Sequence, residues 1–116
     1  MGLYTISAEC GQVGQTLGTA FFKTTLPNLP MTLVHAVAWS TVDDAGLTLQ
    51  IQDDGSNMLT TALDISDTDA VPAEWKSKHV GGTNTPVQIA GGSILTLDAA
   101  NAAADTRIQF VLTFLC

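Results

Sequence analysis

The sequence predicts an all-β fold: an antiparallel two-sheet sandwich of about eight strands, jelly-roll-like in its strand count. Three observations predict it. Short runs alternate apolar with polar side chains and are rich in Thr, Val, Ile and Phe. Glycine and polar clusters separate these runs at short intervals. Helical periodicity is almost missing. An immunoglobulin-like sandwich is the nearest alternative.

The expected strands follow in order. Leu3 to Ser7 is the first, and Gly18 to Thr25 the second, with Phe21 and Phe22 side by side. Thr32 to Thr41 is the longest apolar run. Gly46 to Asp53 alternates cleanly, with Leu47, Leu49 and Ile51 on one face and Thr48, Gln50 and Gln52 on the other. Met58 to Ile65, Val87 to Ala90 and Ser93 to Ala99 come next. Thr106 to Leu115 closes the set, pointing Ile108, Phe110, Leu112 and Phe114 one way. Asp53-Asp54-Gly55-Ser56-Asn57 reads as a turn between two strands. Pro72 to His79 suits a helical turn, because proline is favoured at the first helical position. The alanine-rich Asp98 to Asp105 stretch is a connection with room for one helical turn. The excursion from Asp67 to Pro86 fits a Greek-key crossover better than a hairpin.

Size supports one domain, residues 1 to 116. At 12.1 kDa a compact monomer exposes about 6,000 Å², against roughly 17,500 Å² for the extended chain, so a real core is affordable without staples. Hydrophobic residues make up 46% and charged residues 13%, the opposite of a disordered chain. No apolar run approaches the ~20 residues of a membrane span, so no membrane partner is expected. Four basic residues face eleven acidic ones, for a net charge of −7. That balance argues against nucleic acid, since phosphate contacts need a cationic face. Met1 to Cys10 has no basic n-region or long apolar stretch, so no export signal is expected, and Cys10 and Cys116 are expected to be reduced.

The sequence offers little for chemistry. Asp53, Asp54 and Asn57 bring hard oxygen donors together, but the alternating ligands and the closing glutamate of a calcium loop are missing. Asp64, Asp67 and Asp69 form a second acidic group that reads as a solvated loop. His35 lies mid-strand without local ligand partners, as expected of a histidine making one hydrogen bond. Neither a nucleophile elbow nor a phosphate-cradling glycine loop occurs, and the only glutamates are Glu9 and Glu74. No catalytic residue, metal or cofactor is expected.

Two features point to partners instead. The run Leu33, Val34, Ala36, Val37, Ala38, Trp39 is apolar on both faces, and Val111 and Leu115 add apolar side chains to the polar face of the last strand. Phe21-Phe22 does the same in the second. A sandwich normally wets one face of each strand, so either a loop or another subunit covers the second one. The chain has no helix to spare, so an oligomeric interface through Phe22, Val34, Trp39, Val111 and Leu115 is the expectation. The second feature is Trp75, Lys76, Lys78 and His79 on the longest loop. There the tryptophan either caps one end of the sandwich or forms a contact patch with its cationic neighbours.

The segments Gly46 to Gly55, Met58 to Ser66, Gly91-Gly92-Ser93-Ile94-Leu95-Thr96-Leu97-Asp98 and Arg107 to Leu115 together resemble small jelly-roll or related β-sandwich virion proteins of tailed bacteriophages. The resemblance spans roughly residues 17 to 115. These proteins decorate capsids or form head-fibre bases. The resemblance implies a structural role: a decoration or cement subunit that stabilises the major capsid lattice, often as a homotrimer. It also implies location in the virion, after assembly in the host cytoplasm. It carries over no catalytic residues. The alternative is a carbohydrate-binding module of a phage fibre or surface complex, with Tyr4, Trp39 and Trp75 as the candidate stacking residues.

Overall fold

The computed structural model describes residues 2–42, 44–66 and 71–116. Among the described residues, ten strands form two five-stranded antiparallel sheets. The first sheet runs β1 (Leu3–Cys10), β10 (Ile108–Leu115), β3 (Met31–Ser40), then β7 (Ala73–Lys76) and β8 (Val87–Ile89), which both pair with β3. The second runs β2 (Phe22–Thr25), β9 (Ile94–Ala100), β4 (Thr48–Asp53), then β5 (Ser56–Asn57) and β6 (Leu63–Asp64), which both pair with β4.

β7 holds residues 35–38 of β3 and β8 holds residues 31–33, so the two lie end to end on one edge. β5 and β6 divide the edge of β4 in the same way. Ten strands therefore fill eight positions, the number read from the sequence. The first strand pairs with the last, which is not the immunoglobulin order, where the first strand pairs with the second. The fold is a jelly roll.

Alternation places the core. Leu33, Leu49, Ile51, Leu95, Leu97, Ile108, Leu112 and Phe114 are fully buried between the sheets, and Phe110 nearly so. Each such side chain contributes about 1.5–3 kcal/mol of transfer free energy. Phe21 and Phe22 both meet Phe110 edge-on, at centroid distances of 6.5 and 5.0 Å. The total surface is 6008 Å², close to the ~6,000 Å² of a compact monomer of this mass.

Three local expectations need correction. Met58 to Ile65 is not one strand. Met58 and Leu59 are consecutive and both buried, which a period of two forbids. The Gln50 side chain supplies the missing ladder, accepting from Leu59 N and donating to Leu59 O, both at 3.1 Å. Most of Pro72 to His79 is strand rather than a helical turn: β7 sets Ala73 and Trp75 on one side and Glu74 and Lys76 on the other. A 3₁₀ turn follows at Lys78–Val80, where Ser77 Oγ accepts from His79 N. The alanine-rich stretch forms no helix, because β9 continues through Ala100 and Asn101 then takes φ 66°.

The turn at Asp54-Gly55 is a two-residue hairpin. Both central residues have positive φ (48° and 88°), the type I′ pattern that matches strand twist. Asp54 also accepts from Ile94 N at 2.8 Å, tying the hairpin to β9.

Candidate functional site

In the first sheet, one face of every strand looks away from the core. Register places Ser7, Val111, Val37 and Glu74 in one row, and Thr5, Thr113, His35 and Lys76 in the next. Glu9, Gln109 and Trp39 form a row at one end, and Leu3, Leu115 and Thr32 a row at the other. Val37, Trp39, Val111 and Leu115 are only half-buried, and Leu3 is 70% exposed. A shallow depression of about 260 Å³ lies beside Trp39, lined by Ser7, Glu9, Gln109 and Val111 among others.

Polar pairs border this apolar strip. His35 Nε2 and Glu74 Oε2 are 2.9 Å apart, and Lys76 Nζ lies 3.8 Å from the same oxygen. The His35 hydrogen bond first, and the Lys76 charge after it, hold the Glu74 carboxyl below the usual glutamate range. At the other corner Glu9 accepts from Gln109 and sits 3.5 Å from Arg107 Nη1.

The expected interface residues therefore divide. Trp39, Val111 and Leu115 share the outer face. Val34 does not: it is the extra residue of a bulge, since Phe114 pairs with Leu33 but Thr113 with His35. The bulge leaves Val34 1% exposed, with its carbonyl accepting from Ser77 N. Phe22 also points inward, onto Phe110. Ala20 takes φ 53° just before the pair, and Phe21 N bonds to Leu97 O, so both adjacent rings reach the interior. Leu3 and Val37 join the face instead. Register with Leu115 and Val111 identifies them, and β1 alone does not announce which side Leu3 takes.

The contact-loop residues separate as well. Trp75 pairs with buried Ala36 and packs against the core, whereas Lys76 points to the outer face. Lys78 and His79 are exposed on the 3₁₀ turn. Trp75 instead lines an open cleft of about 590 Å³ between the sheet edges, with Thr60, Thr61, Asp64, Asn84 and Thr85. Gly82 lets this loop close over Lys76, where a Cβ would lie 2.2 Å from the Lys76 carbonyl oxygen. Tyr4 faces inward, its ring 6.4 Å from that of Phe114.

Among the described residues, no three His, Cys, Asp or Glu side chains gather as a metal site. Asp64 forms a local turn with Ser66, and those hydrogen bonds lower its pKa. Asp67 and Asp69 lie outside the described residues. Both cysteines are free. Cys10 ends β1 while Cys116 sits beside Gly2 at its start, about 25 Å away at strand rise. Among the described residues, no helix is long and apolar enough to cross a membrane.

No family model and no curated protein matches this sequence. Its fold does match solved structures. A chain in the acidic stable capsid structure of Helicobacter pylori bacteriophage KHP30 aligns at TM-score 0.58 and 11% identity, covering 98% of this chain and 87% of that one. A chain of the Ralstonia phage GP4 capsid aligns at 0.56 and 14%, covering 98% and 84%. One from the capsid asymmetric unit of cyanophage Pam1 aligns at 0.55 and 16%, covering 97% and 85%. At these identities the likeness is one of fold.

Proposed function

We propose that this protein is a structural component of a bacteriophage virion: a decoration or cement subunit that binds the major capsid lattice, stabilises it and performs no catalysis. The observation that carries this reading is the outer face of the first sheet, where Leu3, Val37, Trp39, Val111 and Leu115 stay in contact with solvent. A lone sandwich gains nothing by wetting that face, whereas a subunit held against other proteins covers it. A standard interface takes about 800 Å² per partner, a modest part of the 6008 Å² surface.

The fold comparisons support the same reading. The three aligned chains come from phage capsid structures and are only slightly longer than this one, which covers 84–87% of them. In this reading the working form is a homotrimer seated on the shell, with the strip around Val37, Trp39 and Val111 as the contact. Light scattering after size-exclusion chromatography, paired with co-sedimentation on empty shells of the encoding virus, tests it. Self-association and shell binding are expected. A strict monomer that ignores the shells overturns the reading.

A second reading has one observation behind it. The cleft beside Trp75 combines an indole with threonine hydroxyls, an amide and a carboxylate, the side chains that bind neutral sugars. A glycan array with Trp75→Ala as control tests it. Loss of a specific signal with folding intact favours that reading, and no signal in the wild type removes it.

A further inference from the structure

The open edge of β1 points to a second contact. Gly2 and Cys116 exchange both backbone bonds, at 2.9 and 3.0 Å. In an antiparallel ladder such pairs alternate with non-bonded ones. Continuing the register, Tyr4, Ile6, Ala8 and Cys10 bond to β10, and Leu3, Thr5, Ser7 and Glu9 turn their N–H and C=O groups away from it. Among the described residues, β1 pairs with no strand but β10. The four outward-turned residues are all exposed. Natural sheets blunt such edges with lysine, proline, bulges or brevity. This one is eight residues long, regular in register, and has neither lysine nor proline.

We infer that β1 is a strand-addition edge whose occupant is β1 of a second copy, joined antiparallel about a two-fold axis through Ile6. The strand is complementary to itself in one register. With Leu3 opposite Glu9 of the second copy and Thr5 opposite its Ser7, every open N–H and C=O of both edges finds a partner. A shift by two residues either way leaves some of them bare. The same register keeps the two Glu9 carboxylates apart, and Glu9 is already matched by Arg107 and Gln109. On the inner side, half-buried Ile6 meets Ile6 of the second copy at the close spacing of a non-bonded pair, and Tyr4 meets Ala8. An acidic chain thus offers a nearly neutral edge to its copy. The contact does not depend on the proposed shell role. It leaves Val37, Trp39 and Val111 uncovered, so the same copies can still engage a shell or one another through that face.

Residue-resolved amide exchange across a micromolar-to-millimolar concentration series is the test. Tyr4, Ile6 and Ala8 amides should be protected at every concentration. Thr5, Ser7 and Glu9 amides should gain about tenfold or more protection as dimers form. Ser7→Pro removes an N–H that β10 does not use, and should abolish this gain while protection at Ile6 and Ala8 persists. Thr5→Lys with Ser7→Lys sets like charges opposite each other at both central pairs, and should do the same on a folded subunit. Thr5, Ser7 and Glu9 amides that exchange freely at all concentrations overturn the inference. So does protection that survives dilution, or a concentration-dependent gain that survives both variants.

Discussion

The two sheets of this sandwich share a core but treat their outer faces differently. On the second sheet, Thr48, Gln50, Gln52, Thr96 and Asp98 face outward, and much of their hydrogen bonding is spent within the chain. Gln50 clamps Leu59, Gln52 donates to Asn57 at 2.9 Å, and Asp98 accepts from Ala20 N at 2.6 Å. On the first sheet, Val37, Trp39, Val111 and Leu115 stand half-buried on the outward face among polar neighbours such as Thr5, Thr113 and His35. The polar face finishes its own surface. The apolar one is built to be finished by another molecule, because water offers those side chains no compensating interaction.

The comparison can be broken at its base by loosening the core that both faces share. Phe110→Ala removes the ring that Phe21 and Phe22 pack against, and should cost about 3–5 kcal/mol in urea unfolding. Both faces should fail together in that variant. A smaller change sharpens the picture of the polar face. Gln50→Ala strips the buried Leu59 backbone of both its partners and should cost about 1–3 kcal/mol, with self-association untouched in the fraction that stays folded.

The smallest expected effect is electrostatic and sits at the border of the apolar face. Glu74 should titrate below the ordinary glutamate value of 4.5, and His35→Ala should return its midpoint toward that value, as read by carboxyl NMR shifts. The sign follows from the lowered pKa. The charged pairing is present above the ordinary value and is lost as pH falls through the folded one, so this corner loosens only in acid. An unchanged Glu74 midpoint in the variant contradicts the assigned cause.

Much of the fold was readable because alternation reports burial directly. The spacing of Leu47, Leu49 and Ile51, and of Ile108, Phe110, Leu112 and Phe114, determines which face turns inward, and both sets are buried. The hairpin at Asp54-Gly55 was equally plain, since few residue pairs accept positive φ twice. What alternation cannot report is a residue that breaks it. The bulge at Val34 depends on pairing with a strand some eighty positions away, and Phe21 reaches the interior beside Phe22 just after Ala20 takes a positive φ. The strand β7 was hidden by Pro72, which suggested a helix start. Of the candidate face, Trp39, Val111 and Leu115 could be named from the sequence. Val37 stands in the same apolar run at Trp39's parity, Leu3 became a member only through cross-strand register, and the open backbone of β1 has no signature in side chains at all.

The claim on which the rest stands is that one outer face of this sandwich is made for a protein partner and the other is not. Matched double variants measured by sedimentation equilibrium test it: Val37→Lys with Val111→Lys on the first sheet, and Gln52→Lys with Thr96→Lys on the second. Each pair adds the same charge to exposed or half-exposed sites, so folded stability should change little. Measured in a Ser7→Pro background that lacks the β1 contact, the account predicts that the first pair weakens self-association by at least about tenfold, roughly 1.4 kcal/mol, while the second leaves it at the value of that background. Equal loss from both pairs, or loss from the second pair alone, would contradict it.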